Sequence, residues 1–401
     1  MIPIEERIPN RKAKELYELI RRRNVVSKLE LLENSGIKPS TLTRLLDEMV
    51  AQELIEEVGF GESTGGRRPI LYRINPTFGY VLGLEISRTH ARLICCDVLL
   101  DKKSQHTWPM SERMSPDVLI QEIIHEANRM LTNLGIPQDK LLGVGIGAVG
   151  PIDRTAGVIV DPLYFPAKGW QQVPICAMIA TAFGVPVYLE NGANTAIVGE
   201  YWADRVHNYQ HLLYIHGGVG LRSAMMSGGQ IVYGAVDMEG AIGQMVIQAD
   251  GVPSRLSGGN YGALESYASL YAVEQKMQSM MRLGRKSSVS EKIDVIEQVT
   301  FPRIVEAAQL QDTLAIEVLT QSATYLGIGL ANLLNTLHPE KVILGGPLIH
   351  SHALYYKTAT QVAMSKTYYY PHYQVEFSLG QLGDEALAIG AAVMLVNKLT
   401  H

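Results

Sequence analysis

The chain has 401 residues, enough for two or three domains of ordinary size. A hydrophobic share of 47% and a charged share of 19% fit sizeable cores, and the net charge of −5 argues against a general nucleic-acid binder. No apolar run is long enough to span a membrane, and the N-terminal MIPIEERIPNRKAKEL lacks a signal-peptide core, so neither is expected. Three cysteines, Cys95, Cys96 and Cys176, two of them adjacent in an apolar run, suggest neither a disulfide framework nor a CxxC metal site and point to a reducing cytoplasm.

Residues 1–75 carry 13 Lys/Arg against 12 Asp/Glu, a slightly positive balance in an acidic chain. Within them, KAKELYELIRRR (12–23) repeats apolar positions at helical spacing through Leu16, Leu19 and Ile20. Its Arg21–Arg23 run suits either phosphate contacts or an exposed helix face. A short helix follows over 28–34, with Ser27 as N-cap and Glu30 in the capping-box position, broken by Ser35-Gly36. PSTLTRLLDEMVAQELI predicts a longer helix starting near Pro39 and Ser40. EEVGFGESTGGRRPILYRI then reads as a strand, a Gly-rich tip and a returning strand. Three helices and a hairpin at this spacing predict a winged helix-turn-helix over 1–77. Its reading helix would present Ser40, Thr41, Thr43 and Arg44 to base edges and phosphates, and bury Leu42, Leu45, Leu46 and Met49. Ser40 also suits the role of helix cap. The wing tip carries Arg67 and Arg68 beside two glycines, a combination suited to a narrow, electronegative minor groove.

From Tyr80 the texture changes to alternating strands and helices. YVLGLEI and ARLICCDVLL predict paired strands, residues 116–134 an amphipathic helix, and LLGVGIGAVG a buried strand entering a Gly-rich turn. VPVYLEN is a further strand, followed by a helix from about Ala193, and HLLYIHGGVG is again strand and glycine turn. A long helix over 319–338, the strand of KVILGGPLI and a last helix in DEALAIGAAVMLVNKL complete the chain. This order predicts a doubly wound α/β body in two lobes.

Several stretches, in order, carry a family resemblance: LGLEISRTH, GVGIGAVGPID, LENGAN, HGGVGLRSA, EGAIGQ, GALE, VILGGPLI and DEALAIGAA. Together they resemble the ROK family of bacterial sugar repressors and sugar kinases over nearly the whole chain. The N-terminal domain with its GGRRP wing is similar to the regulator branch, which includes xylose- and N-acetylglucosamine-responsive repressors. The resemblance implies an actin/hexokinase-like (ribonuclease H-like) fold: a first lobe of 78–195 plus 383–401, a second of 196–382, and a sugar-binding cleft between them.

Measured against the kinases of that family, the chain departs where chemistry is done. The first phosphate loop keeps a carboxylate and a threonine, Glu85 and Thr89, but Ser87 replaces a glycine. The second, Gly218-Val219-Gly220-Leu221-Arg222-Ser223-Ala224, puts Arg222 and Ala224 where glycines are expected, so that Arg222 either contacts a phosphate or blocks it. Gly345 and Gly346 complete these degenerate nucleotide loops. Gly192 stands where the family's catalytic Asp takes the proton from the sugar hydroxyl, and losing a general base costs about 10²–10⁴ in rate. The family's zinc ligands correspond to Gln244, Leu256, Gly258 and Ala263, none a thiolate or imidazole, so no metal and no cofactor is expected. Asn191, Gln244 and Glu265 match sugar-facing positions.

The combined expectation is a non-enzymatic, sugar-responsive DNA-binding regulator, a repressor by resemblance. Its partners would be operator DNA and a sugar or sugar-phosphate effector, with the chain a homodimer or dimer of dimers. The alternatives are a bifunctional ATP-dependent sugar kinase that also binds DNA, and a regulator controlled by a protein partner.

Overall fold

The computed structural model describes residues 8, 10–61, 68–236 and 239–400. Helix α1 (Arg11–Arg23) starts where the Asn10 side chain accepts from the Ala13 N–H. Its buried stripe is Ala13, Leu16, Tyr17, Ile20 and Arg21, so an arginine occupies the last position of an otherwise mainly apolar face. The short β1 (Val26–Ser27) leads into α2 (Lys28–Ser35), whose start is the reciprocal capping box of Ser27 and Glu30 that the sequence predicts. Left-handed Gly36 (φ +62°) ends it. Helix α3 (Pro39–Ala51) places Pro39 in its first turn and buries Leu42, Leu45, Leu46 and Met49. Its N-cap is Lys38, not Ser40, which corrects the expected capping role. Strands β2 (Ile55–Phe60) and β3 (Ile70–Ile74) pair antiparallel, and β1 joins β3 on its other edge.

The chain divides into two compact units: Met1–Arg205 with Leu387–His401, and Val206–Ala386. The expected lobe boundaries at 195/196 and 382/383 therefore move to 205/206 and 386/387. The first expected boundary would have cut helix α6, named below.

The body of the first unit is a five-stranded sheet ordered β10-β7-β4-β5-β6. Strands β4 (Tyr80–Ile86), β7 (Leu141–Ala148) and β10 (Val187–Asn191) run parallel; β5 (His90–Asp97) and β6 (Lys102–Pro109) continue antiparallel. One face packs α4 (Pro116–Asn133) and α5 (Ile175–Phe183) around Leu84, Ile146, Trp170 and Ile179. Between them β8 (Ile152–Asp153) and β9 (Val158–Ile159) form a small ribbon. The other face is written in glycine. A Cβ at Gly83 or Gly145 would collide with the carbonyl oxygens of Ala388 and Ala391 in the last helix, which therefore lies directly on the sheet. Helix α6 (Gly192–Ala203) follows β10 without a break and is buried on all sides from Gly192 to Glu200.

In the second unit the sheet order is β13-β12-β11-β14-β15. Strand β11 (Leu212–Gly217) pairs antiparallel with β12 (Leu221–Ser227), which carries β13 (Gln230–Ile231). Strands β14 (Lys341–Gly345) and β15 (Glu376–Ser378) run parallel to β11. Its core gathers Ile215, Leu264, Phe301, Leu326, Leu344 and Tyr355. Around it stand α7 (Leu270–Arg282), α8 (Phe301–Gln309), α9 (Thr313–Leu337), α10 (Pro347–His350) and α11 (Ala353–Ser365). The final helix, α12 (Ala386–Thr400), returns the chain to the first unit.

Helix α9 starts at Thr313, six residues before its expected start at 319, because Leu314, Ala315 and Val318 extend its buried face and Asp312 caps it. By length and composition it could cross a membrane, but 61% of its most apolar window is buried inside the protein, as befits a core helix. Asp312 Oδ1 accepts from the Ala315 N–H at 2.9 Å, and Oδ2 accepts from the Ser288 N–H at 2.7 Å and from the Ser287 and Ser288 hydroxyls at 3.0 Å. Burial alone would raise its carboxyl pKa, but these donors outweigh it and hold the group below the usual carboxylate range. A depressed carboxylate stabilises above its unfolded pKa, and the contribution fades as pH falls through the folded value. Asp312→Ala is expected to cost about 1–2 kcal/mol in urea unfolding at pH 7. That difference from the unaltered chain should shrink below about pH 4.

Candidate functional site

Strand β10 delivers Glu190 and Asn191 to the start of α6, and both are buried. Glu190 Oε1 accepts from the Asn191 N–H at 2.9 Å and from Asn194 Nδ2 at 3.0 Å, while Arg154 Nη1 donates to the same carboxylate at 3.3–3.4 Å. The carboxylate is thus engaged by its own neighbours. Asn191 is the N-cap residue of α6 without a side-chain cap bond, and the loop after β7 lies close over it: a Cβ on Gly150 would stand 2.8 Å from Asn191 Oδ1. Gly192 is the first residue of the helix and brings no base.

The turn between β4 and β5 is closed on itself. Ser87 N–H donates to the His90 carbonyl at 2.9 Å, and the Ser87 hydroxyl donates to that carbonyl at 2.8 Å. The same hydroxyl accepts from the N–H groups of His90 and Thr89 at 3.2 and 3.4 Å. Backbone donors that would face a phosphate are therefore tied within the turn. Glu85 is buried beneath it, 3.1 Å from His90 Nε2 and 3.9 Å from Arg92 Nη1. Thr89 stays exposed.

The second loop lies in the other unit. Gly218 N–H donates to Gly220 O at 3.1 Å, and Leu221 N–H donates to Glu265 Oε2 at 2.8 Å. A Cβ on Gly220 would overlap that same carboxylate oxygen, so glycine is retained here for a packing reason. Arg222 pairs in register with His216 and turns inward, buried, with its Nη1 3.7 Å from Glu239. Gly346, at φ +94°, passes so close to the Gly217 carbonyl that no side chain fits, and Gly345 abuts the Tyr214 hydroxyl.

Gln244 and Glu265 sit on two adjoining short turns, Ala241–Gln244 and Leu264–Ser266. Gln244 Oε1 accepts from the Asn260 N–H at 3.2 Å, and its carbonyl accepts from Asn260 Nδ2 at 2.9 Å. These bonds, with the Val246–Ala263 bridge, close the loop that holds Leu256, Gly258 and Ala263. Ala263 is fully buried there, and Gly258 takes a left-handed turn. Glu265 also faces a cavity of about 450 Å³, lined among others by Tyr267, Tyr271, Tyr325, Gln321 and Lys276. Glu265 and Gln244 are thus brought side by side, while Asn191 belongs to the first unit.

Of the residues expected to meet DNA, Ser40 and Arg44 are exposed on α3, and Thr41 and Thr43 are half-buried. The Thr43 hydroxyl donates to the Pro39 carbonyl at 2.9 Å, and Arg44 Nη1 reaches Glu48 at 2.5 Å. Arg68 is exposed; Arg67 lies outside the described residues. Of the Arg21–Arg23 run, Arg21 is neither exposed nor available to phosphate, since it is buried in the body. The sequence did carry a signal for this: Arg21 stands four residues after buried Tyr17, on the apolar stripe.

Restoring a carboxylate alone should not restore phosphoryl transfer, because the first phosphate turn remains closed. Gly192→Asp is expected to yield no phosphorylated glucose, xylose or N-acetylglucosamine from Mg-ATP above the level of the unaltered chain, as read by mass spectrometry of the recovered sugar. Product from that single change would show the loops to be functional.

Residues 81–398 match the family model described as ROK family. The chain is 27% identical over 388 residues to the xylose repressor of Bacillus subtilis (strain 168), covering 95% of this chain and 94% of the relative. It is 24% identical over 335 residues to the DNA-binding transcriptional dual regulator NagC of Escherichia coli (strain K12), covering 83% and 79%. Among solved structures, a ROK family transcriptional regulator, homologue of the E. coli MLC protein, superposes with a TM-score of 0.80 at 20% identity, covering 98% of this chain and 96% of that one. A ROK family glucokinase from Streptomyces griseus, in complex with glucose and AMPPNP, gives 0.66 at 22% identity; it covers 79% of this chain and 99% of its own. At these identities the two structures show the fold alone. With most of its length inside the matched region, the chain belongs to the ROK family.

Proposed function

We propose that this chain is a sugar-responsive transcriptional repressor that works in the cytoplasm without phosphoryl transfer. In this reading residues 1–77 form a winged helix-turn-helix, α3 reads the major groove, and the wing bearing Arg67 and Arg68 follows the minor groove. Two chains would meet a two-fold operator. Asn191, Gln244 and Glu265 would hold the hydroxyls of a sugar or sugar phosphate. The observation that carries the reading is the self-closed turn at Ser87–His90, where the N–H groups a kinase would offer to phosphate are already bonded. Relatives named as xylose and N-acetylglucosamine repressors support the same assignment. The ion pair of Arg44 with Glu48 does not oppose DNA contact, since an exposed pair of this kind is worth about 1 kcal/mol or less.

The test is duplex binding by fluorescence anisotropy, using a sequence that the full chain itself selects from a random pool, at fixed moderate salt. Arg44→Ala should weaken the selected duplex by about 1–3 kcal/mol and relax its sequence preference. Arg68→Ala should weaken binding most on duplexes whose flanks narrow the minor groove, and reduce the salt slope by about 1. D-xylose, N-acetylglucosamine or one of their phosphates should shift the affinity. A chain that selects no sequence would overturn the proposal.

A further inference from the structure

The RRR run at the end of α1 holds an arginine that DNA cannot reach. The Arg21 side chain is fully buried, with Nε donating to Glu18 at 2.9 Å and Nη2 donating to Asn397 Oδ1 on α12. Its guanidinium carbon stands 4.2 Å from the centroid of the Trp202 ring, at the end of α6. A second guanidinium, that of Arg205, stacks on the same indole at 4.7 Å. Arg205 Nε donates to the Arg22 carbonyl at 3.3 Å, and its Nη1 to the Trp202 carbonyl at 3.1 Å. The first helix of the N-terminal segment is therefore clamped to the C-terminal ends of two helices of the body.

Those helices are themselves locked together. Gly390 of α12 meets the carbonyl of Thr195 in α6 so closely that a Cβ would overlap it. At the opposite end of α6 stand Asn191 and Gly192. Twelve helical residues span about 18 Å, and a buried helix transmits a displacement of one end to the other. The clamp also carries an unsatisfied donor: two guanidinium groups flank one indole, and Arg21 Nη1 is buried without a hydrogen-bond partner.

We propose that α6 carries the effector signal from Asn191 to the DNA-binding segment, with Arg21 and Trp202 as the positioning residues that pass it to α1. The proposal rests on the sugar-responsive reading above. Lysine cannot replace Arg21 in this role, because its point charge neither stacks flat on the indole nor bonds Glu18 and Asn397 together.

The experiment uses the full chain labelled with fluorotryptophan, whose three tryptophans give three fluorine signals. Trp202 is identified by its loss in Trp202→Phe. The ligands are the pool-selected duplex, D-xylose, N-acetylglucosamine and their phosphates. The Trp202 signal should move with the duplex, and again with the sugar that alters duplex affinity. Arg21→Lys should bind sugar and duplex each within about threefold of the unaltered chain, yet cut the sugar's effect on duplex affinity from tenfold or more to below threefold. Arg23→Lys, exposed at the end of α1, should leave that effect intact. Full retention of the sugar effect in Arg21→Lys overturns the proposal, as does a Trp202 signal silent to both ligands while the duplex binds. If Arg21→Lys fails to fold, the Trp202 signal of the unaltered chain decides. If no sugar alters duplex affinity, the sugar-responsive reading fails and the route from Asn191 falls with it, whereas a sugar effect that survives in Arg21→Lys overturns the route alone.

Discussion

Backbone-to-backbone contact, rather than side-chain packing, sets how the last helix meets the sheet of the first unit. At Gly83, Gly145 and Gly390 the chain comes so near a neighbouring helix carbonyl that a methyl group would not fit. Helix α12 consequently sits directly against β4 and β7, and α6 meets α12 backbone to backbone at Gly390. Contacts of this kind have no slack for side chains to absorb, so the helices shift together or not at all. The first helix of the N-terminal segment is tied to the far ends of both through Arg21. A body built this way suits a switch, which needs a few discrete arrangements rather than gradual give.

In the proposed reading, a phosphotransferase scaffold is disarmed without being dismantled. A kinase needs interactions that strengthen in the transition state: a base at the hydroxyl and open N–H donors at the phosphates. Here Gly192 brings no base, Ser87 bonds the donors of the first turn, and Arg222 is folded inward beside Glu239. A sensor has a different requirement, namely unequal affinity for ligand in two conformations of the protein. Amide and carboxylate groups such as Asn191, Gln244 and Glu265 are sufficient chemistry for that. The Gln244–Asn260 bonds help hold the loop between Ala241 and Ala263 in shape.

Much of the fold was legible because it rests on local chemistry. The capping box of Ser27 and Glu30, the buried face of Leu42, Leu45, Leu46 and Met49, and the glycine turns after β7 and β11 are all written in short spacings. What escaped depends on partners distant in sequence. The early start of α9 comes from Asp312 bonding Ser287 and Ser288, some two dozen residues upstream. Lys38 rather than Ser40 caps α3, since Pro39 already fixes the first turn. Helix α6 shows no amphipathic stripe because it is buried all round, so periodicity said little about its role. Arg21 looked like one third of a solvated basic run, and only the position of Trp202 makes it an internal strut. In the candidate site, the identity of Gly192 was legible at once, while the closure of the Ser87–His90 turn required knowing which groups Ser87 bonds.

The central claim is that the body recognises a sugar without processing it. The most direct measurement is isothermal titration of the full chain with glucose, xylose, N-acetylglucosamine and their phosphates, with and without Mg-ATP, followed by mass analysis of the recovered sugar. One of these ligands should bind with the same Kd in both conditions and be recovered unchanged. Binding that requires Mg-ATP, or recovery of the sugar with an added phosphate, would contradict that claim.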